Sequence, residues 1–213
     1  MSTRAHVLVG LLGVAACQPP PPEPPKGVVP PGCTGEYLDL AQVFSQGSCV
    51  VAEATEAPSA AQLRLELSPA PLDLAPGAVG QIELVMINAS GADLAFDLTI
   101  PCEPALGFPM QVATATGDQS LRSGDPAVED ARSGTACQTQ QVVRVGLPPT
   151  GRAKMPLSIR ACAAGTVEPC GLPAGAHPLA VQVPLPRVRP AAGVLRVATP
   201  QAETTESAET ESP

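Results

Sequence analysis

From residue 62 onward, apolar and polar residues alternate in short runs, and the runs are separated by turn residues. Leu63, Leu65 and Leu67 alternate with Gln62, Arg64 and Glu66, a period of two that predicts a half-buried strand. Pro69, Pro71 and Pro76-Gly77 follow as punctuation. Ile82, Leu84 and Met86 alternate with Gln81 and Glu83, and Leu94, Phe96, Leu98 and Ile100 return with Asp93 and Asp97 on the opposite face. Asn88-Ala89-Ser90-Gly91 lies between these two runs, so they read as a hairpin, and the sequon in that stretch reads as a turn alone. Met110, Val112 and Thr114 predict a weaker strand, and Thr116 to Thr135 a long polar loop. Val143 and Val145 flank an outward Arg144; Met155, Leu157, Ile159 and Ala161 alternate with Lys154, Ser158 and Arg160. Leu179, Val181, Val183 and Leu185 continue the pattern among Pro178, Pro184 and Pro186, which suggests an edge or a bulge. Leu195 and Val197 predict a last short strand. Seven or eight strands and no amphipathic helix of normal length make an all-β sandwich the expected fold.

The N-terminal part reads differently. Val7 to Ala16 is an apolar run of ten residues after Arg4, too short for a bilayer that needs about twenty. A basic start, a short apolar stretch and small residues at its end are the marks of a secretory leader. Gln18 to Pro31 is rich in proline, which favours an extended polyproline II spacer of roughly 40 Å. Between Cys33 and Val51, the spacing of Tyr37, Leu40, Val43 and Phe44 suits one face of a short helical turn, read as a stapled cap on the main domain. The resulting organisation is a leader over 1–16, a Pro-rich tether over 17–32, a stapled entry segment and linker over 33–61, a β domain over 62–198 and an acidic tail over 199–213.

The run Val14-Ala15-Ala16-Cys17 resembles the lipobox of bacterial lipoproteins. That resemblance implies a diacylglycerol on the Cys17 thiol and further acylation of the new N-terminus, with palmitate-like chains that together hold a protein on a membrane where one chain would not. Gln18, where enterobacterial lipoproteins kept at the inner membrane have Asp, implies the outer membrane by analogy. Leu74-Ala75-Pro76-Gly77, and Leu172-Pro173-Ala174-Gly175 before Leu179-Ala180-Val181, resemble the strand entries of immunoglobulin-like bacterial modules. The resemblance implies an immunoglobulin-like antiparallel sandwich.

Composition narrows the function classes. The net charge is −8, and Glu203, Glu206, Glu209 and Glu211 supply half of it in a tail without cations, predicted to be disordered. No basic stripe exists for nucleic acid. With no Trp, one Tyr and three Phe, stacking platforms and aromatic cages have little to be built from.

Six cysteines remain besides Cys17, an even number that in an exported chain suggests disulfides. The local set is expected: Cys33–Cys49, Cys102–Cys137 and Cys162–Cys170. No C-x-x-C occurs and His177 is the one histidine after the leader, so a metal site and any cofactor are not expected. His177 reads as a strand-end surface residue with no visible catalytic partner.

The best candidate contact surface is the Thr116–Thr135 loop with Asp118, Asp125, Glu129 and Asp130. Its oxygens suit calcium by type but lack EF-hand spacing, and Arg122 and Arg132 in the same stretch favour a solvated loop. Three functions are compatible. The first is a non-enzymatic, membrane-anchored module binding an envelope protein. The second is a protease inhibitor of immunoglobulin-like fold presenting that loop. The third is a hydrolase using Asp125 and Glu129, for which no cleft is apparent.

Overall fold

A computed structural model describes residues 28–54, 57–101, 108–125, 140–165 and 170–199. The protein is all-β over these residues, with twelve strands and one six-residue helix. Nine of the strands have five residues or more; three short ones, β1 (Tyr37–Asp39), β2 (Val50–Val51) and β4 (Leu72–Leu74), escape a periodicity argument because two or three residues carry no period.

The longer strands are β3 (Leu63–Ser68), β5 (Val79–Asn88), β6 (Leu94–Pro101), β7 (Met110–Thr114), β8 (Gly117–Ser123), β9 (Gln140–Leu147), β10 (Arg152–Ala163), β11 (Gly175–Val181) and β12 (Ala191–Val197). They form a large sheet of order β3-β5-β10-β8-β7-β11-β12-β4, with β1 added beside β10, and a small sheet of order β2-β9-β6. The pairing in the middle of the chain is nested: β7 with β8, β6 with β9, β5 with β10. The two ends of the large sheet approach each other. A Cβ on Gly193 of β12 would stand 3.1 Å from the Leu67 side chain of β3, so the sheet is almost rolled closed, with no hydrogen-bonded ladder between those two strands.

The inner faces are those the alternation predicted. Leu63, Leu67, Ile82, Leu84, Met86, Met155, Leu157 and Ile159 of the large sheet share one core with Leu94, Phe96, Leu98, Ile100, Val143 and Val145 of the small one.

The expected hairpin between β5 and β6 does not form. The chain crosses from one sheet to the other at Asn88, and β6 takes β9 as its partner. The Asn88 amide is buried there, donating to the carbonyls of Ala92, Leu147 and Pro148 and accepting from the Ser90 N–H and hydroxyl. Those bonds tie this crossover to the neighbouring one from β9 to β10. Asp97 and Arg144, expected on the solvent face, are both buried. They stand directly opposite one another on β6 and β9, and Arg144 Nε and Nη2 donate to the two Asp97 carboxylate oxygens at 2.8 and 2.9 Å.

Two prolines within strands sit where a ladder is interrupted. The outer side of β10 pairs with β1 at Arg152–Lys154 and with β8 from Ile159 onward, and Pro156, which has no N–H to donate, lies in the gap. Pro178 precedes the stretch Leu179–Val181 that β11 shares with β7, so this interior strand has a local edge at its proline. The strand ends at Val181, and Val183 and Leu185, expected within it, lie beyond its end.

The entry segment spans both sheets. Thr34 bridges Gly146 on the free edge of β9, β2 pairs with Val142 and Val143 on that edge, and β1 runs parallel to β10. Gly146 has room for this path only because it lacks a Cβ, which would meet Thr34 Oγ1 at 2.9 Å. The helix α1 (Leu40–Ser45) is capped by Asp39 and buries Leu40, Val43 and Phe44, as expected; Tyr37 instead stands on β1 and is exposed. Cys33 is bonded to Cys49, closing this segment over the β9 edge, and Cys162 is bonded to Cys170. The expected Cys102–Cys137 pair lies outside the described residues. Replacing Cys33 and Cys49 together by Ala should lower stability by about 3 kcal/mol, as expected for a loop of this length, and expose the β9 edge. Urea denaturation together with amide exchange at Val142 and Val143 would register both effects.

Candidate binding surface

The outer face of β3, β5, β10 and β1 carries the most distinctive surface chemistry among the described residues. The register sets two rows across it. Arg64, Ile87, Arg152 and Tyr37 stand side by side in one; Glu66, Val85, Lys154 and Asp39 stand in the next. Ile87 is buried and Val85 half-buried, an apolar floor between charged side chains.

The charges are unevenly matched. Arg64 pairs with Glu66 at 3.0 Å and Lys154 with Glu83 at 3.2 Å. Asp39 is used as the cap of α1, accepting from the Ala41 and Gln42 amides. Arg152 has no carboxylate partner among the described residues, and it is flanked by Tyr37, which is 80% exposed and is the chain's one tyrosine. Tyr37, Leu38, Glu83, Val85, Arg152 and Lys154 line a cleft of about 230 Å³ there. An exposed Tyr beside an uncompensated Arg over apolar floor is the composition of an interface centre: the ring gives contact area at little entropic cost, and the guanidinium bonds a carboxylate or carbonyl in two-pronged fashion. The sequence marked Tyr37 for the wrong face and passed over Arg152, which in an alternating run is one more outward cation; only the register brings the two together.

The loop singled out from sequence is partly a strand. Residues 117–123 form β8, which pairs with β7 and, near its end, with β10. Its side chains are mostly polar, with Leu121 fully buried, so no run of alternation betrays it. Asp118 is exposed near the start of β8, and Asp125 lies beyond its end with its N–H donating to Ser123 Oγ. The strand separates the two carboxyl groups by roughly 20 Å, so they do not form one oxygen cluster. Glu129 and Asp130 lie outside the described residues. No group of three or more potential metal ligands occurs among the described residues. His177, expected at the surface, is buried on β11 with Nε2 at 2.8 Å from the Pro173 carbonyl, which fixes the loop before that strand.

No family model matches the chain, and no curated protein matches it. Solved structures give distant likenesses. A β-glucosidase from Listeria innocua in complex with glucose is 13% identical over 64% of this chain and 16% of its own, with a TM-score of 0.36. This chain therefore spans 16% of that enzyme's length. The alkylpurine DNA glycosylase AlkC of Pseudomonas fluorescens, bound to DNA containing an abasic site analog, is 12% identical over 66% of this chain and 31% of its own, at a TM-score of 0.31. AvmM, which catalyzes macrocyclization in alchivemycin A biosynthesis, is 9% identical over 71% of this chain and 98% of its own, at 0.34. Likenesses at these TM-scores bear on neither fold family nor function.

Proposed function

We propose that this chain is a lipid-anchored protein of the bacterial envelope whose β body works by binding another envelope protein and not by catalysis. The observation that carries the reading is the run Val14-Ala15-Ala16-Cys17 at the end of a leader-like segment and ahead of a Pro-rich stretch. The two disulfides support it, because such bonds persist in oxidising compartments outside the cytoplasm. Gln18 makes the outer membrane the favoured destination. The body is read as an immunoglobulin-like sandwich elaborated by extra strands; two sheets enclosing one core support that reading. The Tyr37–Arg152 face is the proposed contact surface.

Mass spectrometry of the protein recovered from membranes tests the anchor. The expected mature chain begins at Cys17 and carries acyl mass on it, while Cys17→Ser abolishes both processing at that residue and tight membrane association. A Cys17→Ser chain held on membranes as firmly as the parent would refute the anchor. For the contact surface, the immobilised protein should retain a partner from envelope extract. Tyr37→Ala and Arg152→Ala should each weaken that binding about tenfold or more, with unchanged thermal unfolding. Retention unaffected by either variant would move the contact elsewhere.

A further inference from the structure

The rolled sheet closes on itself at Leu67, which packs against Gly193 of β12, and its two walls part toward the start of β3. Between them lies a cleft of about 410 Å³, a volume typical of small-molecule sites. Ala60, Ala61 and the residues Leu63, Arg64 and Leu65 of β3 form one wall. Arg189 and Pro190, ahead of β12, form the other. The lining holds two cations and no acid, in a chain whose net charge is −8. Arg189 is exposed and has no carboxylate partner among the described residues. Arg64 meets Glu66 at 3.0 Å in a solvent-exposed pair, and such a pair is readily exchanged for another anion. The rest of the lining is aliphatic or proline, with no hydroxyl, amide or aromatic side chain.

Both walls are held from behind. On one, Pro58 and Leu63 are buried. The turn between them is closed by the Gln62 and Leu63 N–H groups donating to the Ser59 carbonyl, and by the Ser59 N–H donating to Gln62 Oε1. On the other, Leu185 and Ala191 are buried and Val188 packs against the core, its N–H donating to the Leu185 carbonyl. Arg187 stands between these anchors at a φ of 70°, a left-handed conformation that a residue with a side chain keeps only where its surroundings impose it. A loop fixed in this way presents Arg189 in one place before any ligand arrives, which lowers the ordering cost of binding.

We propose that this cleft binds a phosphoryl group carried on an apolar body, an alkyl or acylglyceryl phosphate. A single guanidinium already satisfies a carboxylate through its two-pronged fork. Two guanidinium-bearing residues on opposite walls suit a phosphoryl group, which offers more oxygens and, as a monoester, a charge of roughly −1.5 to −2. The aliphatic lining has nothing to hydrogen-bond a sugar or stack a base, so the body attached to the phosphoryl group is apolar. That chemistry is shared by a lipid headgroup and a free alkyl phosphate. The site requires neither the lipid anchor nor the Tyr37–Arg152 contact.

Titration of the full chain, followed by amide NMR shifts, tests it. The probes are hexyl phosphate, a free monoester, and dihexanoyl phosphatidylglycerol, a lipid headgroup on chains short enough to stay in solution. At least one should bind saturably, shifting the Ala61, Leu65 and Arg189 amides and leaving those of Tyr37 and Arg152 in place; the tighter of the two names the source. Inorganic phosphate, which lacks the apolar body, and hexanoate, which lacks the phosphoryl group, should each bind at least about tenfold more weakly. Arg189→Gln should weaken the tighter probe about tenfold, and Arg64→Gln with Arg189→Gln should abolish its binding, with thermal unfolding unchanged. Arg196→Gln, which removes the same charge from the exposed face of β12, should change nothing. Hexanoate binding as tightly as either phosphate probe would overturn the phosphoryl assignment. Inorganic phosphate binding as tightly would leave an adventitious ion only. Binding that survives the double substitution, or that falls equally with Arg196→Gln, would overturn the site.

Discussion

Substituting Arg144 by Met should lower stability by about 3–5 kcal/mol, a shift in midpoint temperature of roughly 10 °C. Asp97 and Arg144 face each other across β6 and β9, joined by two parallel hydrogen bonds, and both are buried. Removing the guanidinium leaves a carboxylate away from water with two of its bonds unmade. That cost exceeds what the intact pair contributes over a hydrophobic pair of similar volume, because forming the pair already required desolvating both ions. Asp97→Leu combined with Arg144→Met should therefore lose less than the two single variants added together, by about 2 kcal/mol or more. Chemical denaturation of the four proteins in this cycle measures the coupling. Strict additivity would mean that the loss in the single variants comes from packing and that the ion pair is incidental.

This pair also shows where sequence reasoning reached its limit. Alternation placed Leu94, Phe96, Leu98 and Ile100 on one face, and they are on one face, in the core. The same alternation sends the residues between them to solvent, which holds only for a strand covered on one side. In β9 both faces are buried from Val143 to Leu147, so Arg144 needed a partner inside, and a period of two cannot report a second covered face. Pairing was illegible for a related reason. Asn88-Ala89-Ser90-Gly91 has the chemistry of a tight turn and does turn the chain, but whether the next strand folds back alongside or crosses to another sheet depends on which partner offers more buried area. Here β9 and β10, some sixty residues on, take both strands. In β8 polar side chains hid a strand held by its neighbours, and past Val181 the apolar alternation outlasted its strand because Pro184 and Pro186 cannot continue a ladder. The proposed contact surface depends wholly on such long-range register, since Tyr37 and Arg152 meet only because a three-residue parallel strand joins the edge of β10.

Asn88→Asp should cost roughly 3–4 kcal/mol, although it changes neither the shape nor the volume of the side chain. The Asn88 Nδ2 group has two hydrogens and three carbonyl oxygens around it, those of Ala92 at 2.7 Å, Leu147 at 2.8 Å and Pro148 at 2.9 Å. Two of those carbonyls belong to the end of β9 and the turn that leads into β10, so a single amide fastens together the two places where the chain passes between sheets. An aspartate there would turn acceptor toward acceptor, leave the three carbonyls short of donors, and bury a charge among carbonyl oxygens. Asn88→Ala removes the same donors and adds a small cavity, and should cost a similar amount. Ser90→Ala removes a hydroxyl whose one hydrogen is shared between Asn88 Oδ1 and the Ala92 carbonyl and whose oxygen accepts weakly from the Ala92 N–H, while the Ser90 N–H still satisfies Asn88 Oδ1, so its cost should stay near about 1 kcal/mol. Urea midpoints for the three variants give the ranking. In amide exchange, the Asn88→Asp protein should open first at Asn88 and Gly151, whose main chains are bonded across this corner. If Asn88→Asp were as stable as the parent, the two crossovers would be held by strand pairing alone, and the asparagine would be merely a turn residue, as its sequence neighbours suggest.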